Sequence, residues 1–111
     1  MEDIIEDVVN LLKVLADNTR LSILKMLNEK KMYANDIQDE LDKSQSTISQ
    51  QLGILFDADI ITYEKNGKKN LYSIKNHQIM KILAALQRNI LNQRKEKLKD
   101  LSDFDIYDTL F

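Results

Sequence analysis

A short segment rich in hydroxyl and amide side chains has the best chemistry for recognising another molecule. Residues 43–55 read KSQSTISQQLGIL. Gln can form two hydrogen bonds with adenine, and Ser can donate or accept a hydrogen bond at base edges or phosphates. An ordinary solvent-facing helix would instead carry Glu and Lys, which form helices more readily. The segment therefore indicates contact with DNA, through six candidate residues: Ser44, Gln45, Ser46, Thr47, Ser49 and Gln50.

The composition excludes several kinds of active site. The 111 residues contain no Cys and a single His, which excludes disulfides, thiolate metal ligands and cysteine catalysis. The sequence shows no nucleophile–base pair and no glycine-rich phosphate loop, so we expect no catalytic residues, no enzyme activity and no cofactor. No apolar run approaches the ~18 residues of a membrane span, and no signal peptide is recognisable. We therefore expect a cytoplasmic protein without a membrane partner.

Basic and acidic residues are segregated along the chain, although the net charge is only −2. Residues 1–59 carry 6 Lys or Arg and 12 Asp or Glu, whereas residues 60–99 carry 10 and 2. Residues 100–111 carry 4 Asp and no basic residue. A basic block within an acidic protein indicates an anionic partner. For the Lys and Arg of residues 88–99, a solvated helix face explains the pattern equally well.

The spacing of apolar residues predicts the helices that position the polar segment. Ser44 and either Asp17 or Asn18 are expected as N-caps, because their side chains can accept hydrogen bonds from first-turn amides. Four helices are expected in the first half of the chain, at residues 2–15, 17–28, 34–41 and 44–57.

After these helices the apolar period changes from 3.6 to 2. Two β-rich runs, IITYEK and NLYSI, flank Asn66-Gly67. Asn-Gly between such runs predicts a hairpin with a type I′ turn, in which both residues have positive φ. A last helix is expected from His77 to about Lys97. The predicted fold is mainly α with a β-hairpin, in the order α-α-α-α-β-β-α.

The predicted helix 44–57 has an apolar face and a polar face. At about 100° per residue, one stripe must face the core and consists of Ile48, Leu52, Leu55 and Phe56. The opposite stripe consists of Ser46, Ser49, Gln50 and Gly53. A short helix, a tight turn and a helix of this kind form a helix-turn-helix, whose second helix enters the major groove.

Three lysines surround the predicted hairpin turn. Lys65, Lys68 and Lys69 flank Asn66-Gly67. In a wing beside the recognition helix they would contact phosphates and supply affinity that does not depend on sequence. Solubility at an exposed turn is the alternative explanation, and the neighbouring Ser/Gln helix makes phosphate contact the favoured one.

Two motifs together resemble the ArsR/SmtB family of winged-helix repressors. They are LADNTRLSILKML at residues 15–27 and SQSTISQQLGIL at residues 44–55, and the resemblance covers about residues 8–76. It implies a homodimeric DNA-binding transcription regulator that is usually a repressor. It also implies dimerisation through the first and last helices. Their apolar stripes supply the expected interface residues: Ile4, Ile5, Val8, Leu12, Ile79, Ile82, Leu83, Leu86 and Ile90.

The resemblance implies a single winged helix-turn-helix domain over residues 1–111. Its expected parts are dimerisation helices at 1–15 and 77–99, a helix-turn-helix at 34–58, a wing at 60–74 and an acidic-aromatic tail at 100–111. For the tail we consider packing on the dimer, binding of a partner, disorder, and neutralisation of the basic stretch 88–99.

The chain departs from the metal-sensing members of that family. Where those members carry a Cys-Val-Cys-Asp-type motif, this sequence has Tyr33 followed by Ala-Asn-Asp. At the last helix, where Asp, His and Glu ligands are expected, the sequence offers His77 but also Arg88 and Leu91. We therefore expect no metal site. For Arg20 we expect helix pinning through ion pairs, with phosphate contact as a secondary role.

The sequence thus predicts a sequence-specific DNA-binding regulator, most simply a repressor. As a homodimer it would bind a pseudo-palindromic site in double-stranded DNA, without a metal sensor and with an unknown effector. The alternative is a winged-helix module that binds proteins and has no direct DNA role. The net acidity of residues 1–59, which include the proposed reading helix, favours that alternative.

Overall fold

The computed structural model describes residues 3–110, with side chains described through Leu101. Five helices and three strands follow one another along this part of the chain. In chain order they are α1 (Ile4–Leu15), α2 (Asn18–Glu29), β1 (Met32–Tyr33), α3 (Ala34–Leu41), α4 (Gln45–Asp57), β2 (Ile61–Asn66), β3 (Lys69–Ile74) and α5 (His77–Leu110). The predicted mainly helical fold with a β-hairpin is confirmed.

Side-chain caps fix the starts of α2 and α4. The Asp17 carboxylate accepts a hydrogen bond from the Arg20 amide at 3.0 Å, and the Ser44 hydroxyl accepts one from the Thr47 amide at 3.2 Å. Each bond satisfies an amide that has no partner within its own helix. Both predicted capping sites are therefore confirmed, with Asp17 as the N-cap of α2.

A left-handed residue makes the tight connection between α3 and α4. Asp42 has φ 52°, and the Lys43 amide donates to the Gln38 carbonyl at 3.2 Å. Asp tolerates this conformation better than most residues. The backbone therefore reverses within a few residues, and α4 follows α3 after a minimal turn, as in a helix-turn-helix.

The hairpin belongs to a three-stranded antiparallel sheet in the order β1-β3-β2. The sequence predicted only β2 and β3, because the two residues of β1 are too few to show a period. The predicted type I′ turn is wrong. Asn66 pairs with Lys69 in the last rung, and Gly67 has φ 67° as the first of two turn residues. Positive φ at that position alone is the type II′ requirement.

A cluster of aliphatic residues joins α2, α3, α4 and the sheet in one core. Its fully buried members are Ile23, Leu24, Ile37, Ile48, Leu52, Leu55, Ile60 and Ile61. The prediction that Phe56 faces this core is wrong, since 40% of the residue is exposed. Phe56 lies at the margin of the apolar stripe, where its ring packs on Tyr63 at a centroid distance of 5.2 Å.

The chain forms two compact units, one up to His77 and the other from Gln78 onward. The second unit is α5, which continues to Leu110 and passes the predicted end at Lys97. No Pro occurs in the chain and no Gly follows Gly67, so no residue there breaks a helix. The proposed roles of the tail side chains beyond Leu101 lie outside the described residues. Among the described residues, none of the helices combines the length and the apolar character that a membrane span needs.

Candidate nucleic-acid interface

Opposite faces of α4 have opposite environments. Ile48, Leu52 and Leu55 are at most 2% exposed and hold the helix on the core. Five of the six predicted contact residues are exposed. Ser44 is one of them, and the other four lie on the outer side of the helix: Gln45, Ser46, Ser49 and Gln50. Their side chains are free to meet a groove, and all are short enough for the helix backbone to approach it closely.

The other two predicted contact residues build the start of α4. The Ser44 hydroxyl donates to the Thr47 hydroxyl at 2.9 Å while it caps the Thr47 amide. The Ser46 hydroxyl lies 3.2 Å from the same Ser44 oxygen. Ser44 and Thr47 therefore hold the first turn in place, and Ser46 is both part of this hydroxyl cluster and exposed.

Gly53 has no side chain and so adds no bulk to the outer side of α4. A Cβ built on this residue would meet no atom within 4 Å, so packing within the chain does not require glycine there. Glycine in a helix interior costs about 0.5–1 kcal/mol relative to alanine. Glycine at this position leaves room on the outer side of α4 for the surface of a bound molecule.

The three predicted wing lysines, Lys65, Lys68 and Lys69, are exposed around the turn of the hairpin. The Lys69 ammonium lies 5.6 Å from the centroid of the Tyr33 ring, within cation–π range. The Tyr33 hydroxyl accepts a hydrogen bond from Asn66 Nδ2 at 2.6 Å. Tyr33 is the N-cap residue of α3. One aromatic side chain thus connects the wing tip to the start of the helix-turn-helix.

Sequence reasoning missed this role of Tyr33. Its partners lie 33 and 36 positions further along the chain, so no local spacing relates them to Tyr33. The one local signal is a tyrosine directly before a helix that is otherwise polar at its start.

Arg20 joins three helices, and among the described residues it forms no ion pair. Its guanidinium donates to the carbonyl oxygens of Lys13 and Val14 in α1 and to Gln51 Oε1 in α4. The prediction that Arg20 pins helices is confirmed, but the predicted ion pairing is wrong. Carbonyl oxygens at the end of α1 have no helical partner, and they attract the cation. The part played by Gln51 was not predicted.

Acidic residues lie on the first helix of the helix-turn-helix. Asp36, Asp39 and Glu40 of α3 are exposed. The negative charges of these residues repel phosphate, so α3 adds no sequence-independent attraction for DNA.

Metal ligands are scarce in the chain. Among the described residues, no group of three His, Cys, Asp or Glu side chains could hold a metal ion. The sequence has no thiolate donor, and its one imidazole, His77, is exposed at the start of α5. Soft metals and metalloids prefer thiolate ligands, so this donor set does not fit them.

Each of the two helices predicted to dimerise has exposed apolar side chains. On α1, Ile4, Ile5, Val8 and Leu12 are 49–75% exposed, and we call them the α1 apolar face. On α5, Ile82, Leu86 and Ile90 are 42–58% exposed, and we call them the α5 apolar face. Leu83 is half-buried, and Ile79 is already buried within the protomer. Ile79 therefore offers little surface to a partner.

Comparison with known proteins identifies related regulators. Residues 17–63 match the family described as "Bacterial regulatory protein, arsR family". The chain is 35% identical over 75 residues to the arsenical resistance operon repressor of Staphylococcus xylosus, covering 68% of this chain and 71% of that protein. It is 40% identical over 79 residues to an uncharacterized HTH-type transcriptional regulator of Methanocaldococcus jannaschii, covering 70% and 89%.

Solved structures share the fold. The transcriptional repressor BigR from Xylella fastidiosa superposes with a TM-score of 0.68 and 30% identity, covering 78% of this chain and 88% of that chain. A homodimeric winged helix-turn-helix DNA-binding domain from Mycobacterium bovis gives a TM-score of 0.73 at 21% identity, covering 80% and 82%.

Proposed function

The chain belongs to the arsR family of bacterial regulatory proteins and is a DNA-binding transcriptional regulator, and from this premise we propose that it represses transcription. The observation that carries the proposal is the division of α4. Its inner side is fully buried, whereas Gln45, Ser46, Ser49 and Gln50 are exposed together on its outer side. These side chains would read base edges in the major groove.

The wing would hold the protein on the DNA backbone beside that groove. Lys65, Lys68 and Lys69 are exposed at the tip of the β2–β3 hairpin, where phosphates could be reached. Such contacts fix position without reading sequence. Base recognition by α4 and phosphate contact by the wing together describe a sequence-specific regulator.

The active form would be a homodimer. The α1 apolar face and the α5 apolar face each expose large aliphatic side chains that a monomer leaves in water. Burial of such side chains is the main driving force of association. A two-fold dimer would present two copies of α4 to half-sites about 34–36 Å apart, so its operator would be pseudo-palindromic.

Repression would not be controlled by a metal bound to Cys or a His cluster, because the chain has no Cys and one His. We further propose that the protein acts in the cytoplasm, where regulators of this family meet DNA. Among the relatives named above, the Staphylococcus xylosus protein is an arsenical resistance operon repressor and BigR is a transcriptional repressor, and repression by this chain is inferred from them.

Selection of bound duplexes from a random pool tests the proposal. We expect recovery of a two-fold symmetric sequence that the purified protein binds at least about 10³-fold more tightly than random DNA. If the purified protein retains no duplex, even at low salt, DNA binding is contradicted. That result would favour the alternative of a protein-interaction module, for which the acidic α3 is the supporting observation.

A further inference from the structure

The C-terminal end of α1 is closed by a side chain from α2. The Ala16 amide donates to the Leu12 carbonyl at 2.9 Å. The next two carbonyls, of Lys13 and Val14, accept hydrogen bonds from the Arg20 guanidinium, at 3.1 Å for Lys13. At the end of a helix such carbonyl oxygens have no amide partner within the helix, so Arg20 supplies the missing donors. The contact therefore caps α1 and also fixes the position of the Arg20 guanidinium.

The same guanidinium reaches α4. Arg20 Nη1 donates to Gln51 Oε1 at 2.7 Å, across 31 positions of sequence. Gln51 is half-buried, between exposed Gln50 and buried Leu52. A guanidinium is planar and its donors point in fixed directions. The position of Gln51 is therefore tied to the last turn of α1.

We infer that Arg20 is a positioning residue for the recognition helix, and that Gln51 serves this contact instead of touching DNA. The three-helix contact of Arg20, Gln51 and the two α1 carbonyls sets where α4 lies relative to α1. Gln50, its exposed neighbour, remains the residue that faces the groove.

This inference rests on the proposed function and extends it to the geometry of the dimer. The helix that Arg20 caps carries the α1 apolar face, and the helix that it reaches carries the reading side chains. If α1 dimerises, the separation of the two α4 helices depends on this contact. Arg20 would then determine which half-site spacing the protein accepts.

A direct phosphate contact by Arg20 is the competing explanation, and charge separates the two. Arg20→Lys keeps the positive charge but cannot reach both α1 carbonyls and Gln51 with one ammonium group. Gln51→Ala removes the α4 end of the contact without changing any charge. Lys25→Gln, which removes an exposed charge elsewhere on α2, is the matched control.

The test measures binding of each full-length variant to the duplex recovered by selection, and to a version with one base pair added between its half-sites. Arg20→Lys and Gln51→Ala should each lower affinity about tenfold, the effect of losing one hydrogen bond to a charged group. Each should also reduce discrimination against the lengthened site. The dependence on salt should stay unchanged, because the same charges face the DNA.

The double variant gives the sharpest result. Arg20→Lys with Gln51→Ala should bind about as well as the weaker single variant, because both changes break one interaction. Thermal melts establish that each variant is folded at the assay temperature. Lys25→Gln should match the wild type in spacing discrimination.

Three results would overturn the inference. One is unchanged affinity and spacing discrimination in Gln51→Ala, and another is full affinity in Arg20→Lys, which is the phosphate-contact result. Strictly additive losses in the double variant would be the third. Each requires a wild-type protein that binds its selected duplex, so these results differ from a failure of the proposed function, in which the wild type retains no DNA.

Discussion

At the scale of single residues, polar side chains of similar type have different roles in α4. Ser44 and Thr47 bond to each other and begin the helix, whereas Ser49 lies exposed on its outer side. Ser44 is exposed as well, but its hydroxyl is engaged in the cap. Gln51 bonds to Arg20, whereas Gln50 is exposed. The sequence predicted a face of Ser and Gln from helical spacing. It assigned no role to Gln51, since the partner of Gln51 comes from a distant helix.

Gly53 gives a prediction in which stability and binding change in opposite directions. Gly53→Ala should raise the free energy of unfolding by about 0.5–1 kcal/mol, because alanine favours a helix and its Cβ meets no neighbour. It should lower operator affinity about tenfold, because the added methyl group would press against the DNA. Overpacking of this kind costs roughly 1–3 kcal/mol.

Thermal or urea unfolding and fluorescence polarisation with the selected duplex measure these two quantities. A stabilised variant that binds the operator as tightly as the wild type would show that the backbone at Gly53 does not need a close approach.

At the scale of elements, local signals were sufficient for α1 to α4 and for the β2–β3 hairpin, but not for β1, the turn type or the end of α5. The N-caps Asp17 and Ser44 and the apolar periods of α1 to α4 lie within a few residues of the structure they specify. By contrast β1 exists because Met32 pairs with Tyr72, and the turn type depends on the rung formed by Asn66 and Lys69. Pairings between distant residues leave no period in the sequence.

Tyr33 gives a prediction about the wing as an element. Tyr33→Phe removes the acceptor for Asn66 but keeps the ring beneath Lys69, whereas Tyr33→Ala removes both contacts. An exposed hydrogen bond and an exposed cation–π contact each contribute about 0.5–1 kcal/mol. Operator affinity should therefore fall about twofold to fivefold in Tyr33→Phe and further in Tyr33→Ala.

Amide hydrogen exchange at residues 66–69 should become faster in the same order. Equal exchange and equal affinity in all three proteins would mean that the wing does not depend on Tyr33 for its position.

At the scale of the whole molecule, the α1 apolar face exposes large aliphatic side chains to water in a single chain. Ile5 is 75% exposed in the first turn of α1, where a helix tolerates an acidic residue well. Ile5→Glu should therefore keep the protomer folded but place an unpaired charge in the proposed dimer interface. We expect the dimer dissociation constant to rise about 30-fold or more.

Sedimentation equilibrium measures that constant. Asn10→Glu adds the same charge to α1 away from its apolar face and should leave the constant near the wild-type value. If both variants dimerise like the wild type, the α1 apolar face is not part of the interface.

The most direct test of the central claim compares binding of the selected operator with binding of random duplex. Gln45→Ala combined with Ser46→Ala should lower operator affinity by about 1–3 kcal/mol for each base pair that loses its contacts, and leave random-duplex binding unchanged. Lys68→Gln is the matched control. It should weaken binding to both duplexes equally and reduce the salt slope by about 1. If the Gln45/Ser46 variant keeps the wild-type preference for the operator, α4 does not read the DNA through this face.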